Sequence, residues 1–270
     1  MPCNVEILSV GNELLLGNTV NTNASWLAKQ ITTEGGNVTR ITTVHDKLGD
    51  ISTALIEAVR RKADFLITTG GIGPTFDDMT LKAVAKALHT RMKLDENALA
   101  MVKMHYAKRF PNRRITMTRS RLKMAQIPSG GVAIPNPVGT APAVQLNADR
   151  TVIYCLPGVP REAKAIFRES LSRVIHTKAG GMTFAEKWVK VHGVMESSLA
   201  PMIDRVMEKW PGIYIKSHPR GAEGVRGPFI ELHFSTSSRD PTKAAVALLA
   251  AVNDLTTELA DFGAQISRTR

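Results

Sequence analysis

The sequence predicts an α/β protein in which a mostly parallel sheet is covered by helices and is followed by a smaller α+β unit. Two observations indicate this fold. Through the first eighty residues, short apolar runs alternate with amphipathic helical patterns, which is the rhythm of a parallel sheet with crossover helices. After Gly180 and Gly181 the order of elements changes. We therefore predict two domains, at residues 1–178 and 183–265.

Hydrophobic periodicity defines the elements of the first domain. The helix predicted at residues 21–34 carries Trp26, Leu27 and Ile31 on one face and stops at two glycines. Residues 37–44 are rich in β-branched side chains, which favour a strand. The remaining predictions are strands at 5–10, 65–69, 132–134, 143–146 and 151–156, and helices at 50–61 (capped by Asp50), 80–88, 95–110 and 160–178.

The second domain has a different order of elements. We predict a strand at 188–192, a helix at 196–209, strands at 213–217 and 229–234, and a helix at 241–259. Between the last two strands, Gly221-Ala222-Glu223-Gly224 has the Gly-x-x-Gly spacing with which KH domains clamp a nucleic-acid backbone. A hairpin loop fits this segment equally well, and the acid Glu223 disfavours contact with phosphate.

The charge is strongly basic and unevenly distributed. Lys and Arg total 35 against 24 Asp and Glu, giving a formal net charge of +11, which favours anionic partners. Residues 97–161 carry ten basic residues and one acid, Asp149. This segment is either a solvated basic face or a rim that attracts a phosphorylated substrate. Nucleic acid is disfavoured, because only Tyr106 and Phe110 lie nearby for stacking.

Cysteine content and hydropathy bear on the compartment. Cys3 and Cys155 are the only cysteines, too few for a disulfide framework or a Cys-rich zinc site. The N-terminus has no basic segment before its apolar stretch, and no run of 18 apolar residues occurs. We therefore expect a cytoplasmic protein that does not contact a membrane.

A glycine-rich turn with two acids is the most informative local feature. Ligands of parallel sheets bind beyond the carboxyl ends of the strands, which selects the loops after Val10, Val44 and Thr69. The third loop reads Gly70-Gly71-Ile72-Gly73-Pro74-Thr75-Phe76-Asp77-Asp78. Its backbone amides could hold a phosphate and its acids a metal ion, although a tight turn with a helix cap fits the same residues. No Gly-Lys-Ser/Thr follows, so it is not a Walker A loop.

Other polar residues follow the remaining strands. Glu13 comes after the first strand and Asp46 after the second, and each is either a site carboxylate or a solvated turn residue. Asn21 either caps the helix after it or contacts a ligand. The loop Asn136-Pro137-Val138-Gly139-Thr140-Ala141-Pro142 and the turn that contains Arg161 could add backbone donors and a positive charge, or be plain turns.

Four ordered motifs together resemble a known family. They are Gly11-Asn12-Glu13-Leu14-Leu15-Leu16-Gly17 with Asn21-Thr22-Asn23, the glycine-rich turn, the loop at 136–142, and Leu156-Pro157-Gly158-Val159-Pro160-Arg161-Glu162. They resemble the N-terminal region of the CinA family, of the MoaB/Mog-type molybdopterin-binding superfamily, over roughly residues 3–178. Residues 180–262 are similar, in the order and length of their elements, to the small KH-like domain that follows in CinA. Two departures are Ala143, where the family usually has Gly, and Ala163, where it often has Met.

The resemblance implies a three-layer α/β/α fold, a homo-oligomer (dimer or trimer) and a phosphorylated small-molecule substrate. The implied activity is hydrolysis of ADP-ribose or FAD to AMP with cobalt or magnesium, often with potassium. Mog-type relatives imply an alternative, binding and adenylylation of molybdopterin. A non-catalytic nucleotide- or RNA-binding module is a further alternative. The C-terminal amidohydrolase of CinA has no counterpart in the sequence, so amidase activity is not expected.

The predicted site combines these assignments. Asp78, Asp46 and Glu13 are predicted to be catalytic, and Asp77, Asp78 and Asp46 to bind metal. The predicted substrate-binding residues are Gly70, Gly71, Gly73, Thr75, Asn21, Asn136, Gly139, Thr140 and Arg161.

Overall fold

The structure is a computed structural model that describes residues 3–112, 114–220 and 229–268. The chain divides into two compact units, Met1–Ala179 and Gly180–Arg270. None of the described helices is both long and apolar enough to cross a membrane.

The first unit is built on a six-stranded sheet. The unit contains eight strands, six of which form this sheet: β1 (Cys3–Val10), β2 (Gly36–Val44), β3 (Phe65–Thr69), β4 (Met92–Leu94), β5 (Gln126–Pro128), β6 (Val132–Ile134), β7 (Ala143–Ala148) and β8 (Thr151–Leu156). Its helices are α1 (Asn12–Leu15), α2 (Thr22–Thr33), α3 (Leu48–Arg60), α4 (Thr80–Ala87), α5 (Glu96–Arg109), α6 (Arg119–Lys123), α7 (Pro160–Ile166) and α8 (Ser172–Lys178). The strand order is β2-β1-β3-β8-β7-β6, and β4 pairs separately with β5. In the large sheet β7 runs opposite to the other five strands, which share one direction, so the prediction of a mostly parallel sheet is confirmed.

Both faces of this sheet are covered. Ile7 and Leu8 point to opposite faces of β1, and both are buried. Leu8 shares a core with Ile51 of α3. A Cβ added to Gly36 at the start of β2 would lie 3.1 Å from Ile175 Cγ2, so α8 also packs closely on the sheet. The three-layer α/β/α arrangement expected from the resemblance is therefore present in this unit.

The structure corrects some element boundaries. The helix predicted at 160–178 is interrupted by a π-helical turn, Phe167–Leu171, between α7 and α8. Asp50 lies in the first turn of α3, whereas Lys47 occupies the N-cap position. The short elements α1, α6, β4 and β5 were not predicted, because three to five residues of mixed polarity give little periodic signal, whereas the equally short β6 is entirely apolar and was predicted.

The second unit is a small antiparallel α+β structure. It contains β9 (Thr183–His192), α9 (Glu196–Lys209), β10 (Tyr214–Arg220), β11 (Phe229–Ser238), α10 (Pro241–Asp261) and β12 (Gln265–Arg268), with the strand order β10-β11-β9-β12. Its core joins both helices to the sheet through residues such as Leu199, Leu255 and Phe234. Strand β12 was not predicted. The Gly221-Ala222-Glu223-Gly224 segment lies outside the described residues.

Candidate functional site

A cleft of about 510 Å³ opens where β1, β3 and β8 end. These strands are parallel, so their carboxyl ends meet at the edge of the sheet where ligands bind in such folds. The structure brings together in this cleft the predicted residues Glu13, Asp46, Gly70, Gly71, Gly73, Thr75, Asp77, Asp78 and Thr140. The predicted residues that do not line it are Asn21, Asn136, Gly139 and Arg161.

The turn after β3 has glycine at two positions where a side chain would be strained. Gly70 has a φ of 103° and Gly71 a φ of 69°, both in the left-handed region. A Cβ on Gly70 would overlap the carbonyl oxygen of Val10, and a Cβ on Gly71 would overlap the hydroxyl of Thr80. That hydroxyl donates a hydrogen bond of 2.7 Å to the Gly70 carbonyl. The turn therefore lies directly against the end of β1 and the start of α4.

The amides of this turn are not equally available to a ligand. The Gly70 N–H donates to the Leu156 carbonyl at 3.0 Å, which extends the pairing of β3 with β8. The predicted contact of the Gly70 amide with a phosphate is therefore not available, and Gly70 contributes through its conformation. Within the described residues, the amides of Gly71 and Gly73 donate to no acceptor. These two can still bind an anion.

Thr75 holds the two acids of the turn together. Its hydroxyl lies 2.5 Å from Asp77 Oδ1 and 2.6 Å from Asp78 Oδ2, and its amide donates to Asp78 Oδ2 at 2.8 Å. A hydroxyl carries one proton and can donate to only one carboxylate at a time. Two negative groups thus converge on a single hydroxyl proton, which favours binding of a cation beside them. A Cβ on Gly73 would lie 2.8 Å from Asp78 Oδ2, so this arrangement also requires glycine there.

Lys123 contacts the glycine-rich turn without lining the cleft, and the sequence did not identify this contact. It lies at the end of α6, and its Nζ donates to the carbonyl oxygen of Thr75. Partial burial lowers the pKa of Lys123, while Asp78 and Asp77 act in the opposite direction. The bond from Thr75 lowers the pKa of Asp77, and Lys123 contributes to that lowering. Lys123 thus links the basic segment to the acidic turn across 48 positions of sequence.

Asp46 and Glu13 approach the cleft from the loops after β2 and β1. Asp46 Oδ2 accepts the Asn12 amide at 2.7 Å, and the Asp46 amide donates to Asn12 Oδ1 at 3.3 Å. This reciprocal pair joins the two loops and satisfies an otherwise free amide at the start of α1. Glu13 lies against Gly11, where a Cβ would come within 2.5 Å of Glu13 Oε1. Asp46 therefore has a structural task in addition to any role in the site.

The predicted three-carboxylate metal site is not preformed. Among the described residues, no group of three or more His, Cys, Asp or Glu side chains is arranged to hold a metal ion. Asp46 lines the same cleft as Asp77 and Asp78 but does not form such a group with them. A cation bound beside Asp77 and Asp78 would need further ligands from water or substrate.

Asn21 lies beside the site and caps a helix. Its Oδ1 accepts the Ala24 amide at 3.1 Å, and its Nδ2 donates to Ser9 Oγ at 2.9 Å. Both groups are therefore engaged by the protein, and the capping alternative is the one that the structure supports. Asn23, which belongs to the same motif but was not among the predicted substrate-binding residues, donates to Thr69 Oγ1 at 2.9 Å and to the Gly158 carbonyl at 2.8 Å. It ties two walls of the cleft together.

The loop at 136–142 and the start of α7 contribute to the cleft through residues that differ in part from those predicted. Arg161 is exposed and does not line the cleft, whereas its neighbour Glu162 does. Asn136 Nδ2 donates to Glu162 Oε2 at 2.7 Å, and Asn136 Oδ1 accepts the Gly139 amide at 2.8 Å. Asn136 and Gly139 therefore shape the wall and position Glu162, while Thr140 reaches the cleft itself.

The basic segment borders the cleft through α5 and α6. Tyr106 lines the cleft, and the guanidinium of Arg121 lies 4.2 Å from the centre of its ring. Arg121 also donates to the Thr116 carbonyl at 2.6 Å, which holds its side chain in place. The departures from the family pattern, Ala143 and Ala163, are both buried and do not line the cleft.

The cleft wall itself is acidic. Five carboxylates line it, those of Glu13, Asp46, Asp77, Asp78 and Glu162, and no Lys, Arg or His is among the described lining residues. An anionic ligand would be repelled by this wall unless cations accompany it. The site therefore combines anion-binding amides and a basic border with an interior suited to cations.

Comparisons with known proteins agree with this fold. The model of a family described as "Probable molybdopterin binding domain" matches residues 6–177. A protein from Pyrobaculum calidifontis is 44% identical over 250 residues, covering 92% of this chain and 93% of the relative. A protein from Aeropyrum pernix is 40% identical over 261 residues, covering 97% and 95%.

A solved structure supports the same assignment. The crystal structure of the protein CinA from Thermoplasma acidophilum, described as having unknown function, is 39% identical in sequence. The match covers 64% of this chain and 98% of that one, with a TM-score of 0.59. The chain therefore belongs to the molybdopterin-binding domain family, as a CinA-like member of the MoaB/Mog superfamily.

Proposed function

We propose that this protein is a divalent-metal-dependent hydrolase of nucleotide diphosphate-linked compounds such as ADP-ribose or FAD, releasing AMP. The acidic cleft below a glycine turn carries this proposal. A pyrophosphate is strongly anionic, so it can occupy a cleft lined by five carboxylates only together with cations. The free amides of Gly71 and Gly73 would bind its oxygens, as amides of such turns bind phosphates elsewhere.

The side chains present fit a magnesium-like ion. Such ions prefer oxygen ligands and are commonly held by one or two carboxylates, with water and substrate phosphates completing the shell. Asp77 and Asp78 offer such a pair, because both approach the Thr75 hydroxyl within hydrogen-bonding distance. When bound, a divalent ion would neutralise charge on phosphoryl oxygens and acidify a water molecule. The protein supplies the ligands, fixes them through Thr75 and attracts the substrate through the basic residues of α5 and α6.

Removal of divalent metal is expected to abolish AMP release. The purified protein would be incubated with ADP-ribose, FAD or NAD, with cobalt or magnesium and with or without potassium, and AMP measured by chromatography. Treatment with a chelator should stop the reaction, and added metal should restore it, because the cleft then regains the cations that offset its carboxylates. AMP release that continues unchanged in excess chelator would contradict the proposal.

Lys123→Met is expected to lower kcat/KM for AMP release about tenfold. The variant removes the ammonium that holds the Thr75 carbonyl, and a hydrogen bond to a charged group contributes roughly 1.5–3 kcal/mol before solvent screening reduces it. Lys86→Met, at an exposed position of α4 outside the basic segment, is the matched control and should retain normal activity. Equal losses in the two variants would show that the contact with Thr75 is unimportant.

The second candidate function is adenylylation of molybdopterin, which the description of the matching family favours. It would use the same cleft with ATP and magnesium. Incubation with ATP and molybdopterin distinguishes it, since it releases pyrophosphate and forms an adenylylated product. If neither reaction occurs but calorimetry detects binding of these ligands, the protein is a binding module.

A further inference from the structure

Glu162 is a cleft carboxylate without a cationic partner. It lies in the first turn of α7. Within the described residues, no Lys, Arg or His forms an ion pair with it. Its hydrogen bond from a side chain comes from Asn136 and reaches only Oε2. Because an ionised carboxylate offers about four acceptor positions, most of its capacity remains for a ligand.

The loop at 136–142 fixes the orientation of this carboxylate. Asn136 donates to Glu162 Oε2 and to the Ala141 carbonyl, at 2.7 and 2.9 Å. Its Oδ1 accepts the amides of Val138 and Gly139, at 3.2 and 2.8 Å. A Cβ on Gly139 would overlap the Glu162 carboxylate, so the backbone closes directly onto it. The carboxylate is thus held in place before a ligand arrives, which reduces the entropy lost on binding.

We propose that Glu162 is a specificity-determining residue that binds its ligand through a pair of adjacent hydrogen-bond donors. A pyrophosphate linkage between two esters carries no hydrogen-bond donor and would be repelled. Two ligand groups carry the required pair: the vicinal hydroxyls of a ribose, and the ring N–H with the neighbouring amino group of a pterin. A ribose ligand rests on the proposed hydrolase function, and a pterin ligand rests on the alternative molybdopterin function. The identity of the bound donor pair therefore distinguishes the two functions.

Glu162→Gln is the variant that tests this role. One amide oxygen remains to accept from Asn136, so the loop should keep its shape. The amide nitrogen then presents donors where the ligand also has donors. Glu169→Gln is the matched control, because Glu169 is exposed, lies in the π-helical turn after α7 and does not line the cleft. Thermal unfolding of both variants checks that the fold is retained.

The probes are two pairs of compounds that differ in one donor. AMP is compared with 2′-deoxy-AMP, and pterin with lumazine, which lacks the amino group, by calorimetry in magnesium. In one of these two comparisons, we expect the unmodified protein to bind the compound that has both donors about tenfold more tightly than its analogue. This is the effect expected for loss of one hydrogen bond to a charged group. Glu162→Gln should bind that compound roughly 10- to 100-fold more weakly and should lose the preference. Glu169→Gln should keep both the affinity and the preference of the unmodified protein.

Each outcome decides the inference. A preference that disappears in Glu162→Gln supports it, and the compound that shows it identifies the ligand class. No preference in either pair, or a preference that persists in Glu162→Gln, overturns it. The hydrolase proposal is judged separately, by AMP release from ADP-ribose in the unmodified protein. If the unmodified protein releases AMP with normal metal dependence but the ligand preference persists in Glu162→Gln, the role of Glu162 is rejected and the hydrolase proposal stands.

Discussion

Asp78→Asn is expected to lower the rate of AMP release from ADP-ribose about a thousandfold while leaving the fold intact. Asp78 is one of two carboxylates that converge on Thr75 and face the cleft. Its replacement removes a negative ligand for the divalent ion, whose contribution to the barrier is several kcal/mol. Each 1.36 kcal/mol corresponds to about tenfold in rate, so a loss near three powers of ten follows.

The geometry of the turn should survive this substitution. The Asn side-chain oxygen can still accept a hydrogen bond from the Thr75 amide. In the unmodified protein this amide lies 2.8 Å from Asp78 Oδ2. Asp50→Asn, on the exposed first turn of α3, is the control and should show unchanged activity. Rates would be measured with saturating magnesium or cobalt, and circular dichroism would verify the fold. Near-normal turnover by Asp78→Asn would remove the metal role assigned to this residue.

Gly70→Ala is expected to destabilise the first unit by about 3 kcal/mol or more. Alanine at a φ of 103° carries a strain of order 1–3 kcal/mol. Its Cβ would also overlap the carbonyl oxygen of Val10, which belongs to a central strand and cannot move aside easily. For a domain of this size, such a loss corresponds to a fall in Tm of roughly 10 °C. Displacement of the turn should also weaken AMP release.

Gly49→Ala is the matched control for this substitution. Gly49 lies within α3, and a Cβ there would meet nothing within 4 Å. Alanine has a higher helix propensity than glycine by about 1 kcal/mol, so this variant should unfold at the same or a higher temperature. Thermal unfolding monitored by circular dichroism compares the two. If Gly70→Ala unfolds at the temperature of the unmodified protein, the close contact between the turn and β1 does not exist in solution.

The order and type of the main elements followed from local patterns. Strand β3 was predicted with its observed limits, and α9 likewise, because each has an apolar pattern bounded by glycine or a charged residue. The π-helical turn at Phe167–Leu171 could not be predicted, because it depends on how a continuous helix packs. Strand β12 could not be predicted either, because its four residues acquire their structure only by pairing with β9.

The placement of acids and glycines around one cleft was also predictable from sequence, within limits. Parallel strands bring their carboxyl ends to one edge, so residues after Val10, Val44 and Thr69 had to lie near each other. This reasoning placed Glu13, Asp46 and the glycine turn in the cleft. It could not determine which amides remain free, because the engagement of Gly70 by Leu156 depends on the pairing of β3 with β8.

The sequence by itself determined the strand and helix order, the family motifs and the edge of the sheet where the site lies, because these depend on neighbouring residues and on chain direction. Only the tertiary structure decided which side chains enter the cleft. Arg161 and Glu162 are adjacent in sequence, yet the helix turns one outward and the other inward. Lys123 meets Thr75 across 48 positions. Such contacts depend on how loops and helices pack in three dimensions, which no local pattern of residues encodes.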